Sequence, residues 1–102
     1  MAKYIIKREY TTKVIVDGVE VESAISYSKE TVTGNMETVA NSMVKANDYI
    51  KSLRVKGVSF GEQRYSKEDA LMLGFSFAYI YHKHESKIIA FSLTQVSERI
   101  SD

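Results

Sequence analysis

The stretch GFSFAYIYHKHESKIIAFSL, residues 74–93, decides the fold. Phe75, Phe77, Tyr79 and Tyr81 alternate with Ser76, Ala78, Ile80 and His82, and further on Ile89, Phe91 and Leu93 alternate with Ala90, Ser92 and Thr94. A period of two with aromatic and β-branched residues is the signature of a strand. A loop of odd length, His84-Glu85-Ser86, brings the aromatic face of the first strand against Ile89, Phe91 and Leu93. An even loop sends the bulky residues of the two strands to opposite faces. Burial of bulk therefore predicts the odd loop. The competing reading makes 67–84 and 87–100 two helices, because Ile89, Leu93, Val96 and Ile100 also fit helical spacing. Residue composition favours strands.

The N-terminal segment YIIKREYTTKVIVDGVEVESAISY, residues 4–27, repeats the theme. Asp17-Gly18 sits between two β-branched runs, and a two-residue Asp-Gly loop suits a type I′ hairpin turn. That turn predicts Val16 opposite Val19, Val14 opposite Val21, Tyr10 opposite Ile25 and Arg8 opposite Tyr27. The apolar face then holds Tyr4, Ile6, Tyr10, Val14 and Val16 with Val19, Val21, Ile25 and Tyr27. The other face holds Lys7, Glu9, Lys13, Glu20 and Glu22, with Lys13 opposite Glu22. Arg8 is the polar member of the apolar face. Its reading is a stem snorkelling at the sheet edge, with a ligand contact as the alternative.

Between the two hairpins lies GNMETVANSMVKANDYIKSLRVKG, residues 34–57. Met36, Val39, Met43, Ala46, Ile50 and Leu53 are spaced three or four apart, which is one apolar stripe of a helix. Asn35 is the expected N-cap and Gly57 the expected stop, with Lys51, Arg54 and Lys56 at the negative end of the dipole. The stripe is read as packing on the sheet, and a dimer seam is the alternative. Val44 and Tyr49 lie off it. Val58-Ser59-Phe60 is a candidate short strand, and Ser66 with Asp69 a capping box opening a short helix. The expected fold class is α+β: two layers, an antiparallel sheet of about four strands from two hairpins on one long helix, in the order β-β-α-(short α)-β-β.

Size and composition bound the function. The chain has 102 residues, read as one domain over 1–102, with 44% hydrophobic and 26% charged residues. It carries no cysteine, so zinc ribbons, disulfide scaffolds and thiol nucleophiles are excluded. A formal net charge of +1 argues against a dedicated duplex-DNA binder, which needs many cations to neutralise phosphates. There is neither a signal-peptide pattern nor an apolar run of about 20 residues, so a cytoplasmic location is expected, without a membrane.

GFSFAYIY is similar to the RNP1 stretch of the RNA-recognition motif, in which a glycine precedes alternating aromatics. The element order differs, because that family has a helix between its first two strands where Asp17-Gly18 makes a direct turn here. Leu73 also stands in place of a basic residue. The chain is not read as a member. His82 and His84 could begin a metal site, but no third ligand accompanies them and no metal or cofactor is expected. Phosphate loops, metalloprotease motifs and nucleophile elbows are absent.

The reading is a non-catalytic binding or adaptor protein, a homodimer acting through protein–protein or small-ligand binding. The seven tyrosines motivate it, since each ring supplies area and each hydroxyl a polar handle. Its composition resembles that of phage or mobile-element accessory proteins, some of them inhibitors. Candidate contact residues are Arg8, Tyr49, Arg64, Tyr65, Tyr81, His82 and His84. One alternative is single-stranded nucleic-acid binding through sheet aromatics, with Lys51, Arg54, Lys56, Arg64 and Lys67 nearby. A second is a small enzyme with an interfacial site using His82 or His84 as a base.

Overall fold

In a computed structural model, described over residues 2–53, 59–64 and 75–101, the chain forms an antiparallel sheet with one helix packed on it. The strands are β1 (Lys3–Val16), β2 (Val19–Thr33), β3 (Ser59–Arg64), β4 (Phe75–His84) and β5 (Lys87–Ser101), and α1 spans Met36–Ser52. The sheet order is β2-β1-β5-β4-β3. The α+β two-layer class and the order strand, strand, helix, strand, strand are as expected. A fifth strand, β3, forms at the edge, over part of the Val58-Ser59-Phe60 segment whose sequence predicts a short strand. Residues 75–101 are strands, which settles them against the two-helix reading. The expected short helix at Ser66 and the stop at Gly57 lie outside the described residues. No described helix is long and apolar enough to cross a membrane.

The Asp17-Gly18 turn forms as read, with φ of 52° and 77°. Such a pair of positive values suits glycine at the second position. The register beyond it differs from expectation. Val16 faces Val19, but the pairing shifts between Val14 and Ile15, so Val14 faces Glu22, Tyr10 faces Ser26 and Arg8 faces Ser28. A one-residue bulge reverses every later side chain of β2. Ile25 and Tyr27 therefore stand opposite Thr11 and Glu9, away from the helix. Lys13 faces Ser23 instead of Glu22, and its ammonium lies 3.9 Å from Glu20.

The second hairpin carries the other correction. His84 pairs with Lys87, leaving the even loop Glu85-Ser86, with Glu85 at a φ of 55°. Ala78 then faces Leu93, Ile80 faces Phe91 and His82 faces Ile89, while Phe77, Tyr79 and Tyr81 face Thr94, Ser92 and Ala90. Size alone does not choose the buried set. Beside the bulky Ile80 and Leu93, the small Ser76 and Ala78 are buried.

Asn35 caps α1 as expected, accepting from the Thr38 N–H at 3.0 Å. The apolar stripe packs on the sheet, with Val39, Met43 and Ile50 almost wholly buried, so it is no dimer seam. Two apolar clusters result. Ile6, Val39, Ala40 and Met43 form one, and Ile50, Ala78, Ile80 and Leu93 the other. Fully burying a side chain of this kind contributes roughly 1.5–3 kcal/mol.

A polar row separates the clusters. Arg8, Gln95 and Ser76 lie side by side on β1, β5 and β4, and Asn47 of the helix descends onto them; all four are buried. The Gln95 amide donates to the Met43 carbonyl at 2.8 Å and to Asn47 Oδ1 at 3.0 Å, and Asn47 Nδ2 donates to Ser76 Oγ. Buried polar groups left unpaired cost about 1–3 kcal/mol each, so this row specifies how the helix sits along the sheet.

Candidate recognition surface

Among the described residues, the helix covers one face of the sheet and no element covers the other. The other face carries, from β1 to β4, Lys7, Glu9, Thr11, Lys13 and Ile15 beside Val96, Thr94, Ser92, Ala90 and Ile88, then Phe77, Tyr79, Tyr81 and Lys83. Successive residues on one face of a strand stand about 6.6 Å apart. Phe77, Tyr79 and Tyr81 thus form a continuous aromatic row. The Phe77 and Tyr79 rings are 5.6 Å apart between centroids, tilted by 45°. Phe77 is 37% exposed, and both tyrosines are half-buried.

β5 lies lower beside that row because Ala90 and Ser92 are small. Tyr79, Tyr81, Lys83, Ile88 and Ala90 enclose a shallow depression of about 340 Å³. On its far side β1 contributes charge already in ion pairs. Lys7 lies 3.5 Å from Glu98 and Lys13 3.9 Å from Glu20. All four partners are half-exposed or more, so these pairs contribute little to stability. The surface is aromatic along one strand and mixed in charge along another.

The sequence candidates do not converge on this face. Tyr81 is on it, and Arg64 lies opposite Tyr79 in the β3–β4 register. Tyr65 lies outside the described residues. Arg8 is under the helix, on a strand flanked by β2 and β5, so it is no edge residue. Its guanidinium donates to Gln95 Oε1 at 2.7 Å, Glu30 Oε2 at 2.5 Å and Ser42 Oγ at 3.2 Å. Arg8 thereby closes the polar row to solvent. Burial pushes the Glu30 carboxyl up, but the Arg8 hydrogen bond and charge, aided by Ser42 and Lys45, hold it below the usual carboxylate range.

Tyr49 is exposed on the helix and lines a separate groove of about 580 Å³ with Tyr10, Thr12, Ser26, Ile50 and Phe91. His82 is buried, its ring edge-on to Phe91 at 6.2 Å. His84 is exposed at the hairpin tip, 4.0 Å from Glu85. The two histidines share a strand face but no accessible site. Among the described residues, no three metal-ligating side chains converge. Glu20 and Glu22 face Ile15 and Val14, neighbours that point to opposite faces, so they make no carboxylate pair.

Phe77, Tyr79, Lys83 and Ile88 were not among the candidates. The only sequence signal for them is loop length: reading Glu85-Ser86 as a two-residue turn puts the aromatics on the open face. No protein-family model, curated protein or solved structure matches the chain.

Proposed function

We propose that this chain is a non-catalytic binding protein that holds a protein partner on the open face of its sheet. The observation that carries this is the row Phe77-Tyr79-Tyr81 along β4, which no described element covers, beside the depression lined by Ala90. Rigid aromatic rings with polar tips are the residues that anchor protein interfaces, since they bury much area at low entropic cost. The charge pattern favours protein over nucleic acid. Lys7 and Lys13 already hold Glu98 and Glu20, and the net charge is only +1. An accessory or inhibitory role of the kind found in phages and mobile elements is compatible with such a surface.

The variant Tyr79→Ala/Tyr81→Ala tests the proposal. It should fold as the wild type does by circular dichroism and lose partners captured by the immobilised wild-type protein. Capture unchanged by the double substitution contradicts it.

One observation favours a second reading, single-stranded nucleic acid. Lys83 ends the aromatic row, so bases could stack on the rings beside a cation. A fluorescent oligothymidylate separates the two. Anisotropy that rises at low salt, falls with added salt and is lost in the double variant selects nucleic acid.

A further inference from the structure

We propose that the outer edge of β2 is where a second copy of this chain pairs, so that two five-stranded sheets continue as one. This goes beyond the reading of the open face, which can hold a partner in either oligomeric state.

β2 is 15 residues long and, among the described residues, pairs only with β1. Its outer side therefore presents a row of backbone donors and acceptors with no described strand beside it. Every residue from Val19 to Thr31 is exposed, on both faces. Val19, Val21, Ile25 and Tyr27 are between 56% and 73% exposed. The opposite edge of the sheet is built differently. β3 has six residues, and its register breaks between Phe60 and Gln63. Shortness and irregularity are the usual protections of an edge. β2 is long, its bulge is confined to the end close to the turn, and the chain has no proline. From Glu22 onward β2 is regular.

The side chains select the occupant and the register. Two copies of one antiparallel edge meet about a two-fold axis normal to the sheet, so residues on the same face come opposite each other. An axis through Ile25 sets Ile25 against itself, Ser23 against Tyr27 and Glu22 against Ser28. Beyond Glu22 the bulge at Val21 takes up one residue of β2, so Lys29 comes beside Glu20 of the other copy, on the same open face, and Glu30 comes opposite Val19; the attraction occurs twice. An axis through Ser26 sets Glu22 against Glu30, and like charges directly opposite are unfavourable. An axis through Tyr27 sets Ala24 against Glu30 and Ile25 against Lys29. The register centred on Ile25 has the fewest conflicts.

The absence of native cysteine gives a clean test. Opposed Cα atoms of an antiparallel pair are about 4.5–5.5 Å apart, within disulfide reach. Ile25→Cys should give a disulfide-linked dimer under mild oxidation. Glu22→Cys, whose two copies would be about 20 Å apart at 3.3 Å per residue, should not. Wild-type protein should sediment at twice its 11.6 kDa mass, and Ile25→Lys should sediment as a folded monomer that keeps open-face binding. A wild-type monomer at micromolar concentration overturns the proposal and leaves the edge to a strand of another protein. A dimer in which Glu22→Cys cross-links as readily as Ile25→Cys also overturns it. Should Ile25→Lys fail to fold, the ratio of the two cross-links decides alone.

Discussion

The two faces of this sheet divide their residues against intuition. The covered face takes Ser76, Ala78, His82 and Gln95, small or polar, into near-complete burial. The open face keeps Phe77, Tyr79 and Tyr81. The helix explains Ser76, Ala78 and Gln95. Ala78 lets it approach, and Ser76 and Gln95 are buried because Asn47 and the Met43 carbonyl satisfy them. Nothing in the described fold explains the second set. Bulk left uncovered by a sheet able to bury it marks a surface kept for something else.

The largest effect that can break this contrast is cavity formation. Ile80→Ala on the covered face should lower unfolding free energy by about 2–5 kcal/mol. Phe77→Ala, three residues earlier on the open face, should cost under about 1 kcal/mol, since a half-exposed ring has little to lose. Urea denaturation of both variants gives the comparison, and equal losses would erase the distinction between the faces.

Next in size is the polar row. Arg8→Met leaves Gln95 Oε1 without its guanidinium donor and should cost roughly 1–3 kcal/mol, visible in the same titrations. Its pH dependence sharpens the point. The Glu30 pKa is depressed in the folded state, so the stability it adds is fully present above the usual carboxylate range. That stability is lost as pH falls through the folded value. Thermal melts between pH 6 and pH 3 should therefore show a loss in wild type that is smaller in Glu30→Gln.

The smallest effect is at the turn that sorts the faces. Glu85 holds a φ of 55°, a region that suits glycine. Glu85→Gly should raise stability by about 0.4–1 kcal/mol through relief of that strain, seen as a higher Tm. A lower Tm would mean the two-residue turn is not what sets the register.

Much of this fold is legible in the sequence. Asp17-Gly18 announces its turn through the demand for positive φ. Asn35 announces the helix start, and the stripe from Met36 to Leu53 is buried as its spacing requires. Alternation in residues 75–81 and 89–94 marks strands against the helical alternative. Both failures are slips of one residue. Nothing near Val14, Ile15 or Val21 signals the bulge, because β-branched residues suit a bulged strand and a regular one alike. Glu85-Ser86 lacks the glycine or asparagine that advertises a two-residue turn. In each case the side-chain period of two converts a small error into a complete exchange of faces. The candidate site is hidden in the sequence for that reason: an odd loop puts Phe77 and Tyr79 in the core. Arg8 stands out in the sequence as a charge on an apolar face, but its partners Gln95, Glu30 and Ser42 are 87, 22 and 34 residues away.

The most direct measurement compares two alanines of the second hairpin. Ala78 is wholly buried beneath the helix, and Ala90 faces Tyr81 on the open side. Ala78→Cys and Ala90→Cys would be the only thiols in their chains. Under native conditions, Ala90→Cys should react readily with a thiol reagent and Ala78→Cys should react only on unfolding. Ready reaction of both would place Ala78 on the solvent face, restore the odd loop, and contradict the open aromatic surface.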